Sequence, residues 1–235
     1  SGMAVNVTSG AAVHLLGTSL TLSNNFTLNG TGIGGTGALI DDSVGSTTNT
    51  ISGNILLGSD DGLFSVTNSG TTLILSGIID DGASSFSFSK SGNGILQLSG
   101  ANTFGNATNG VTVTAGQVTA ANNSAFGVTA APVVVNNGAA VAVSGSGLNI
   151  TNGITLTVTG SGTGALFNAS GSNTWSGTIA MSGNSSFGAT GSDVFTLSGA
   201  VSGGFNFTKV GTGVVELNTT NSFTGTTLVS AGTLR

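Results

Sequence analysis

The sequence lacks cysteine and tyrosine and contains one proline and only three basic residues among 235. Without cysteine, neither a disulfide nor a thiolate metal site can form. Three Lys and Arg against eight Asp and Glu give a formal net charge of −5 at pH 7. A phosphate-binding surface needs clustered cations, so nucleic acid is excluded as a partner. No apolar run is long enough to cross a bilayer as a helix.

Glycine and small polar residues are abundant where charged residues are scarce. The chain has 41 Gly, 38% hydrophobic residues and 5% charged residues, whereas about a quarter of a typical soluble chain is charged. Disordered chains combine low hydrophobicity with high charge, and this sequence has neither property. The surface must therefore be solvated by Ser, Thr and Asn around a continuous apolar core. The opening Ser1, Gly2 and Met3 resemble a cloning remnant, so we interpret the chain as a piece excised from a longer array.

The sequence contains two copies of one repeat unit. Segments of the first copy return in the same order in the second, and the aligned pairs are 5–13 with 133–141, 35–39 with 162–166, 49–55 with 173–179, and 86–98 with 205–217. We therefore place the first copy at residues 1–127 and the second, truncated copy at 128–235, within one continuous solenoid.

A shorter period lies inside each copy. "FSVTNSG" at 64–70 aligns with "FSFSKSG" at 86–92, and short alternating runs such as 155–158 are punctuated by Gly and Asn-Gly. Steps of roughly 20–24 residues with three short strands each are what one coil of a β-solenoid needs. We expect an all-β parallel β-solenoid of about ten coils. An antiparallel sandwich is the rival fold, and the internal step argues against it.

One five-residue frame recurs as "NTISG" at 49–53, "NTWSG" at 173–177 and "NSFTG" at 221–225. Because Asn tolerates the left-handed conformation of turns, we predict that each frame marks a corner followed by an inward apolar residue. Ladders between coils reward large apolar groups in the core. The residues predicted to point inward are Ile51, Phe64, Phe86, Phe88, Trp175, Phe205, Phe207 and Phe223.

Residues 90–127, "KSGNGILQLSGANTFGNATNGVTVTAGQVTAANNSAFG", resemble the passenger-associated β-strand repeat of autotransporters. The features that carry the resemblance are Lys-x-Gly-x-Gly, Ser-Gly-x-Asn-Thr-aromatic, Val-x-Ala-Gly and Asn-Asn-x-x-x-Gly. Residues 209–235 show the pattern again without its last element. The resemblance implies a right-handed parallel β-helix in a type V-secreted passenger of a Gram-negative bacterium, with a C-terminal outer-membrane barrel in the parent protein. The family repeat brings no catalytic residue.

The candidate chemical groups are few. His14 is the only histidine, and the second copy has Ala142 in its place, so we interpret His14 as an outward residue and predict no catalytic site. One histidine without thiolates makes no zinc site. The acidic pairs are spaced so that they could stack into an oxygen-rich Ca²⁺ column; they are Asp41, Asp42, Asp60, Asp61, Asp80 and Asp81. Since Asn168 and Ala169 replace the first pair in the second copy, we prefer turn residues and expect no metal or cofactor.

The sequence therefore predicts a non-catalytic stalk or adhesin scaffold, exposed on or secreted from the surface of a Gram-negative cell. Its ligand on a host or other surface is not identified by the residues. A carbohydrate-active β-helix enzyme and a phage tail-fibre segment are the alternatives. Because few cations protect the strand edges at a cut end, we also expect end-to-end self-association.

Overall fold

The computed structural model describes residues 3–157 and 163–235. Within these ranges the chain forms short strands and one 3₁₀ turn at Ile33–Gly35. All strand pairings within them are parallel, and most link strands one coil apart. None of the described helical structure is long and apolar enough to cross a membrane. The predicted all-β parallel solenoid of about ten coils is confirmed.

Each coil runs over three faces, which we number in the order that the first coil visits them. The first face carries β1 (Val5–Val7), β4 (Phe26–Leu28), β7 (Ile55–Leu57) and β10 (Ile79–Asp80), and further along β17 (Asn149–Ile150), β20 (Asn173–Trp175), β23 (Val194–Leu197), β26 (Val214–Leu217) and β28 (Thr233–Leu234). These strands form two sheets, but in both of them each strand follows a strand of the third face in the chain, except for β1 at the start.

The second and third faces each form one sheet along most of the solenoid. The second face consists of β2 (Val13–Leu15), β5 (Leu39–Asp41), β8 (Gly62–Val66), β11 (Phe88–Ser91), β13 (Val111–Val113), β15 (Val133–Val135), β18 (Ile154–Leu156), β21 (Ile179–Met181) and β24 (Val201–Ser202). The third face consists of β3 (Thr21–Leu22), β6 (Thr47–Ile51), β9 (Thr71–Leu75), β12 (Ile95–Leu98), β14 (Gln117–Ala120), β16 (Ala140–Ser144), β19 (Leu166–Ser170), β22 (Ser185–Ala189), β25 (Phe207–Val210) and β27 (Thr227–Val229). The run predicted at 155–158 is only partly seen, since residue 158 lies outside the described ranges.

The core is built from ladders of similar side chains. In-register pairing places Val111 beside Val133 and Val133 beside Ile154, and all three are buried. Neighbouring strands are about 4.8 Å apart, so each inward residue is covered by the coils on both sides of it. Phe187 and Phe207 stack with ring centroids 4.2 Å apart. A single coil could not bury these groups, which is why the coils must repeat.

Most of the aromatic residues predicted to be inward are inward. Phe64, Phe88, Phe207 and Trp175 are buried, and Phe86 is half-buried against the core. The prediction is wrong for Phe205, which is 39% exposed. This residue lies in the turn between β24 and β25, where the alternation of a strand no longer sets the direction of the side chain.

The two sequence copies do not occupy the same faces. Residues 86–98 form β11 and β12 on the second and third faces, whereas the matching residues 205–217 form β25 and β26 on the third and first faces. Five steps along the second face lead from β11 to β24, and one more face leads to β25. The duplicated unit is therefore five coils and one face long, and the copies are related by a rotation of one face about the axis.

The recurring Asn frame has a different role from the one predicted. Asn49 and Asn173 are inward residues of β6 and β20, and the positive-φ residues other than glycine in the described ranges are Ser19 and Asp61. The prediction of a left-handed Asn corner is thus wrong. The Oδ1 atoms of Asn49 and Asn173 accept the backbone N–H groups of Leu20 and Leu148, one coil earlier, at 2.8 and 2.9 Å. The frame fastens one coil to the preceding one.

Candidate functional site

His14 and Asp42 form a hydrogen-bonded pair on the outside of the second face. The Nδ1 atom of His14 lies 2.6 Å from Oδ2 of Asp42. The other carboxylate oxygen of Asp42 accepts the hydroxyl of Thr67 at 2.9 Å. The three residues come from successive coils, and their contacts fix the orientation of the imidazole ring. The sequence prediction that His14 points outward is consistent with its position, but its partnership with Asp42 was not foreseen.

A loop forms a wall beside this pair. Residues 29–37 leave the first face after β4, and Gly37 brings the chain back against the second face. A Cβ atom on Gly37 would lie 2.9 Å from Cγ1 of Ile40 and 3.1 Å from Cβ of Ser65, and the φ angle of Gly37 is +139°. The loop therefore covers Ile40 and Ser65, which are outward-facing yet only 3% and 4% exposed.

A cleft of about 450 Å³ lies between the loop and the His14–Asp42 pair. Its floor includes the column His14, Ile40, Ser65 and Ser91, whose members are neighbours in the register of four successive coils. The cleft is open to solvent and lies along the long axis. A concave site of this volume suits a small ligand.

Asp41 points the opposite way from Asp42, into the solenoid. Its carboxylate is fully buried and accepts Nδ2 of Asn49 at 3.2 and 3.0 Å and the backbone N–H of Ser43 at 3.1 Å. The Asn49 amide also donates to the carbonyl of Gly17 in the preceding coil. Asp41 is therefore part of the corner that joins β5 to β6.

Asp60, Asp80 and Asp81 bind backbone and hydroxyl groups of turns. Asp60 accepts both the hydroxyl and the N–H of Ser87 at 2.7 Å, and these hydrogen bonds, the hydroxyl first, lower the pKa of Asp60. Asp80 accepts the hydroxyl of Thr103. Asp81 accepts the N–H groups of Phe86 and Gly105 at 2.9 and 2.8 Å. Each of these carboxylates stabilises a turn or a contact between coils.

The three acidic pairs do not share one corner. Asp41 ends β5 of the second face and Asp42 follows it, whereas the other two pairs lie after β7 and at the end of β10 of the first face. The register pairs Asp80 with Leu56, four positions before Asp60, so even the two pairs that share a face are offset. In the described ranges, no group of three His, Asp or Glu side chains is arranged to hold a metal ion.

Two lysines are enclosed in the solenoid without an acidic partner. Nζ of Lys90 donates to the carbonyls of Ser91 and Gly92 at 2.8 Å and to that of Ala115 in the next coil at 3.1 Å. Lys209 has the same contacts, with Val210 at 2.7 Å, Gly211 at 2.8 Å and Ala231 at 3.1 Å. Both side chains have no exposed surface. Each lysine thus joins its own corner to the next coil.

The enclosure of each lysine requires glycine in the following coil. Gly116 and Gly232 have φ angles of +66° and +65°. A Cβ atom on Gly116 would lie 2.5 Å from the carbonyl oxygens of Gly92 and Gly94, and one on Gly232 would lie 2.8 Å from Nζ of Lys209. Any larger residue would collide with the corner below it, so the Val-x-Ala-Gly element of the sequence is explained by close approach.

The ammonium groups are held by neutral acceptors alone. An ammonium has three N–H donors, and three carbonyls surround each one. The salt bridges found in the described part of the chain are His14 with Asp42 and Arg235 with Glu216. Because burial removes solvation that no carboxylate replaces, the pKa of Lys90 falls to about 7, and burial lowers the pKa of Lys209 as well.

Both lysine corners lie in segments that match a known family model. The model of the passenger-associated-transport-repeat matches three segments, residues 88–120, 156–187 and 207–235. Each of these segments is similar to the passenger-associated transport repeat. Together the three segments make up less than half of the chain, and the repeats and the solenoid fold fit the scaffold of an autotransporter passenger. The comparisons with curated proteins and with solved structures gave no significant match.

The first and third transport repeats confirm the predicted resemblance, with slightly different bounds. The model begins at Phe88 and Phe207, two residues before each lysine, and its first match ends before the Asn-Asn-x-x-x-Gly element at 122–127. The middle repeat was missed because it contains no lysine. The "NTWSG" frame at 173–177 is the signal that could have identified it.

Proposed function

We propose that the chain is a non-catalytic β-helical segment of a surface-exposed or secreted passenger, and that it acts as a stalk or adhesin scaffold. The observation that carries the proposal is the continuity of the parallel ladders: the third face is one sheet of ten strands that runs from β3 in the first copy to β27 in the second. Ten strands at about 4.8 Å give a rod roughly 45–50 Å long. A continuous core makes such a rod stiff.

The transport repeats support the proposal that the chain is exported by the type V route of Gram-negative bacteria and that the rod is exposed at or beyond the outer membrane. Low charge and the absence of cysteine agree with this location, since a chain that crosses an oxidising compartment unfolded gains from having no thiol. A C-terminal outer-membrane barrel in the parent protein belongs to the same proposal. The exposed edge of β27, with Leu228 59% exposed, offers a surface for self-association of the isolated chain.

The proposal is tested by display. The chain is fused between an N-terminal epitope tag and an outer-membrane barrel in a Gram-negative cell. We expect antibody to bind the tag on intact cells, and we expect added protease to leave the solenoid uncut. A matched control carries Gly116→Val and Gly232→Val, which block both lysine corners and should make the displayed chain protease-sensitive. A tag detected only after lysis would contradict the proposed location, and rapid cleavage of the unaltered chain would contradict the stiff rod.

A further inference from the structure

The corner that carries His14 and Asp42 has a counterpart in the second copy, and the comparison separates what the fold needs from what it does not. The corner framework is the same in both. Nδ2 of Asn49 donates to the carbonyl of Gly17 at 3.2 Å, and Nδ2 of Asn173 donates to that of Gly145 at 3.0 Å. The same two amides donate to an inward side chain, Asp41 in one copy and Asn168 in the other.

Both outward residues of the corner, His14 and Asp42, are replaced together in the second copy. Ala142 stands in the place of His14 and Ala169 in that of Asp42, and Ala142 and Ala169 lie against Phe167, which replaces Ile40. The corner is therefore built without an imidazole or a carboxylate on its outer side. Since the fold forms with alanine at both places, the His14–Asp42 pair is available for a function other than stability.

We propose that the cleft between loop 29–37 and the His14–Asp42 pair binds a neutral sugar. The donors and acceptors that line it are His14, Thr36, Asp42, Ser65, Thr67 and Ser91. Hydroxyl groups are the partners that carboxylate, imidazole and serine side chains share, because a hydroxyl both donates and accepts. Ile40 and Ser65 lie almost covered at the floor, so the open part of the cleft is formed by His14, Thr36, Asp42, Thr67 and Ser91.

The orientation of the pair leaves Nε2 of His14 available to a ligand. His14 uses Nδ1 to bind Asp42, and Nε2 has no hydrogen-bond partner in the ranges that the structure describes. Asp42 is itself held by Thr67, so the ring is fixed before a ligand arrives. Such a fixed arrangement lowers the entropy that binding must overcome.

The charges around the cleft argue against an anion or a metal ion as its ligand. Lys90 and Lys209 are enclosed in the solenoid and Arg235 pairs with Glu216 at its far end, so no lysine or arginine reaches the cleft, and its imidazole already faces the carboxylate of Asp42. A metal ion would need more ligands than His14 and Asp42, and the described residues bring no third one to the pair. The mixture of donors and acceptors in the cleft therefore favours a neutral, hydroxyl-rich ligand.

The sole histidine makes a direct test possible. The Hε1 proton of His14 gives one imidazole signal in NMR, and it can be followed while the chain is titrated with maltose, cellobiose, lactose or chitobiose to about ten times a millimolar dissociation constant. We expect a saturable shift with at least one of these sugars. The absence of a saturable shift with all four would overturn the proposal.

Calorimetry with the double variant His14→Ala/Asp42→Ala identifies the atoms responsible. The variant copies the residues of the second copy, so we expect it to fold and melt like the unaltered chain but to lose the heat of binding. Thr155→Ala, an outward change on the same face away from the cleft, should retain it. If the double variant does not fold, Asp42→Asn takes its place and keeps the His14 signal. Unchanged binding in the folded variant would show that the sugar binds elsewhere and would overturn the assignment.

Discussion

Lys90 and Lys209 occupy the same place in the duplicated sequence but lie on different faces of the solenoid. Lys90 belongs to β11 of the second face and Lys209 to β25 of the third face, yet each ammonium contacts three carbonyls at closely matching distances. The lysine corner thus depends on local contacts alone and forms on either face. A duplication of five coils and one face can be tolerated because every corner joins two equivalent strands.

The enclosed lysines predict an alkaline gain in stability. The pKa of Lys90 is about 7 in the fold and 10.5 in the unfolded chain. As the pH falls through this window, the unfolded chain takes up the proton first, so unfolding becomes more favourable. As it rises from pH 7 to pH 10.5, the free energy of unfolding should increase by on the order of 4 kcal/mol. Urea unfolding across this range measures the change.

The chain offers a clean control for this prediction. It has no cysteine or tyrosine, the side chains that would otherwise titrate beside the lysines in the upper part of this window. We expect Lys90→Met to remove most of the pH dependence and the double variant Lys90→Met/Lys209→Met to remove nearly all of it. A slope that persists in the double variant would show that the lysines are not its source.

The inward asparagines predict a large loss on truncation. Asn173→Ala would leave the N–H of Leu148 and the carbonyl of Gly145 without their partner inside the structure. An unsatisfied buried group costs about 1–3 kcal/mol, so we expect a loss of about 3 kcal/mol. Asn149→Ala, at an exposed position of the neighbouring strand, should change stability by less than about 0.5 kcal/mol. Equal effects of the two changes in urea unfolding would contradict the fastening role.

The sequence predicted the architecture well because the determinants of a solenoid are local. Alternation, glycine punctuation and the step between Phe64 and Phe86 are all visible in one dimension. The rotation between copies was not predicted, since aligned sequences preserve order but carry no information about which face a strand occupies. The inward position of Lys90 could have been predicted, because Phe88 and Lys90 share one side of the same strand. The family pattern drew attention to its glycines instead.

The outer surface was harder to predict than the core. Nothing in the sequence shows that loop 29–37 folds onto Ile40 and Ser65, and the pairing of His14 with Asp42 depends on the register of β2 with β5. The acidic pairs were recognised as turn residues or as a calcium column from spacing alone. The structure separates Asp41 from Asp42 by the alternation of a strand, which sends one inward and the other outward.

Trp175 provides a probe of the core. It is the only tryptophan and has no exposed surface. We expect iodide to leave its fluorescence unquenched in the native chain and to quench it fully in urea. Phe207→Ala, which removes a ring stacked on Phe187, should cost about 3–5 kcal/mol, whereas Phe205→Ala at the exposed turn should cost less than about 1 kcal/mol. Quenching in the native state would show that the coils around Trp175 open.

The separation of the acidic pairs predicts indifference to calcium. Since Asp41, Asp60 and Asp80 lie on different elements, millimolar calcium or EDTA should not change the melting temperature. A site filled at 100 times its dissociation constant would add about 2.7 kcal/mol, which a thermal scan detects as a shift of several degrees. Such a shift with calcium, reversed by EDTA, would mean that the carboxylates assemble a site after all.

The coil-by-coil register predicts which deletions the fold accepts. Val111 pairs with Val133, so removal of residues 111–132 takes out one complete coil and joins residue 110 to a strand of the same face. Stability in a solenoid is approximately the sum of its repeats and their interfaces, so we expect a folded chain about one tenth less stable.

Removal of 111–121 deletes half a coil and would place turn residues in the position of β13, against the apolar row of β11. This shorter deletion should abolish the cooperative transition. Circular dichroism and urea unfolding of the two variants decide the matter: if the half-coil variant folds as well as the whole-coil variant, the ladders do not set the register.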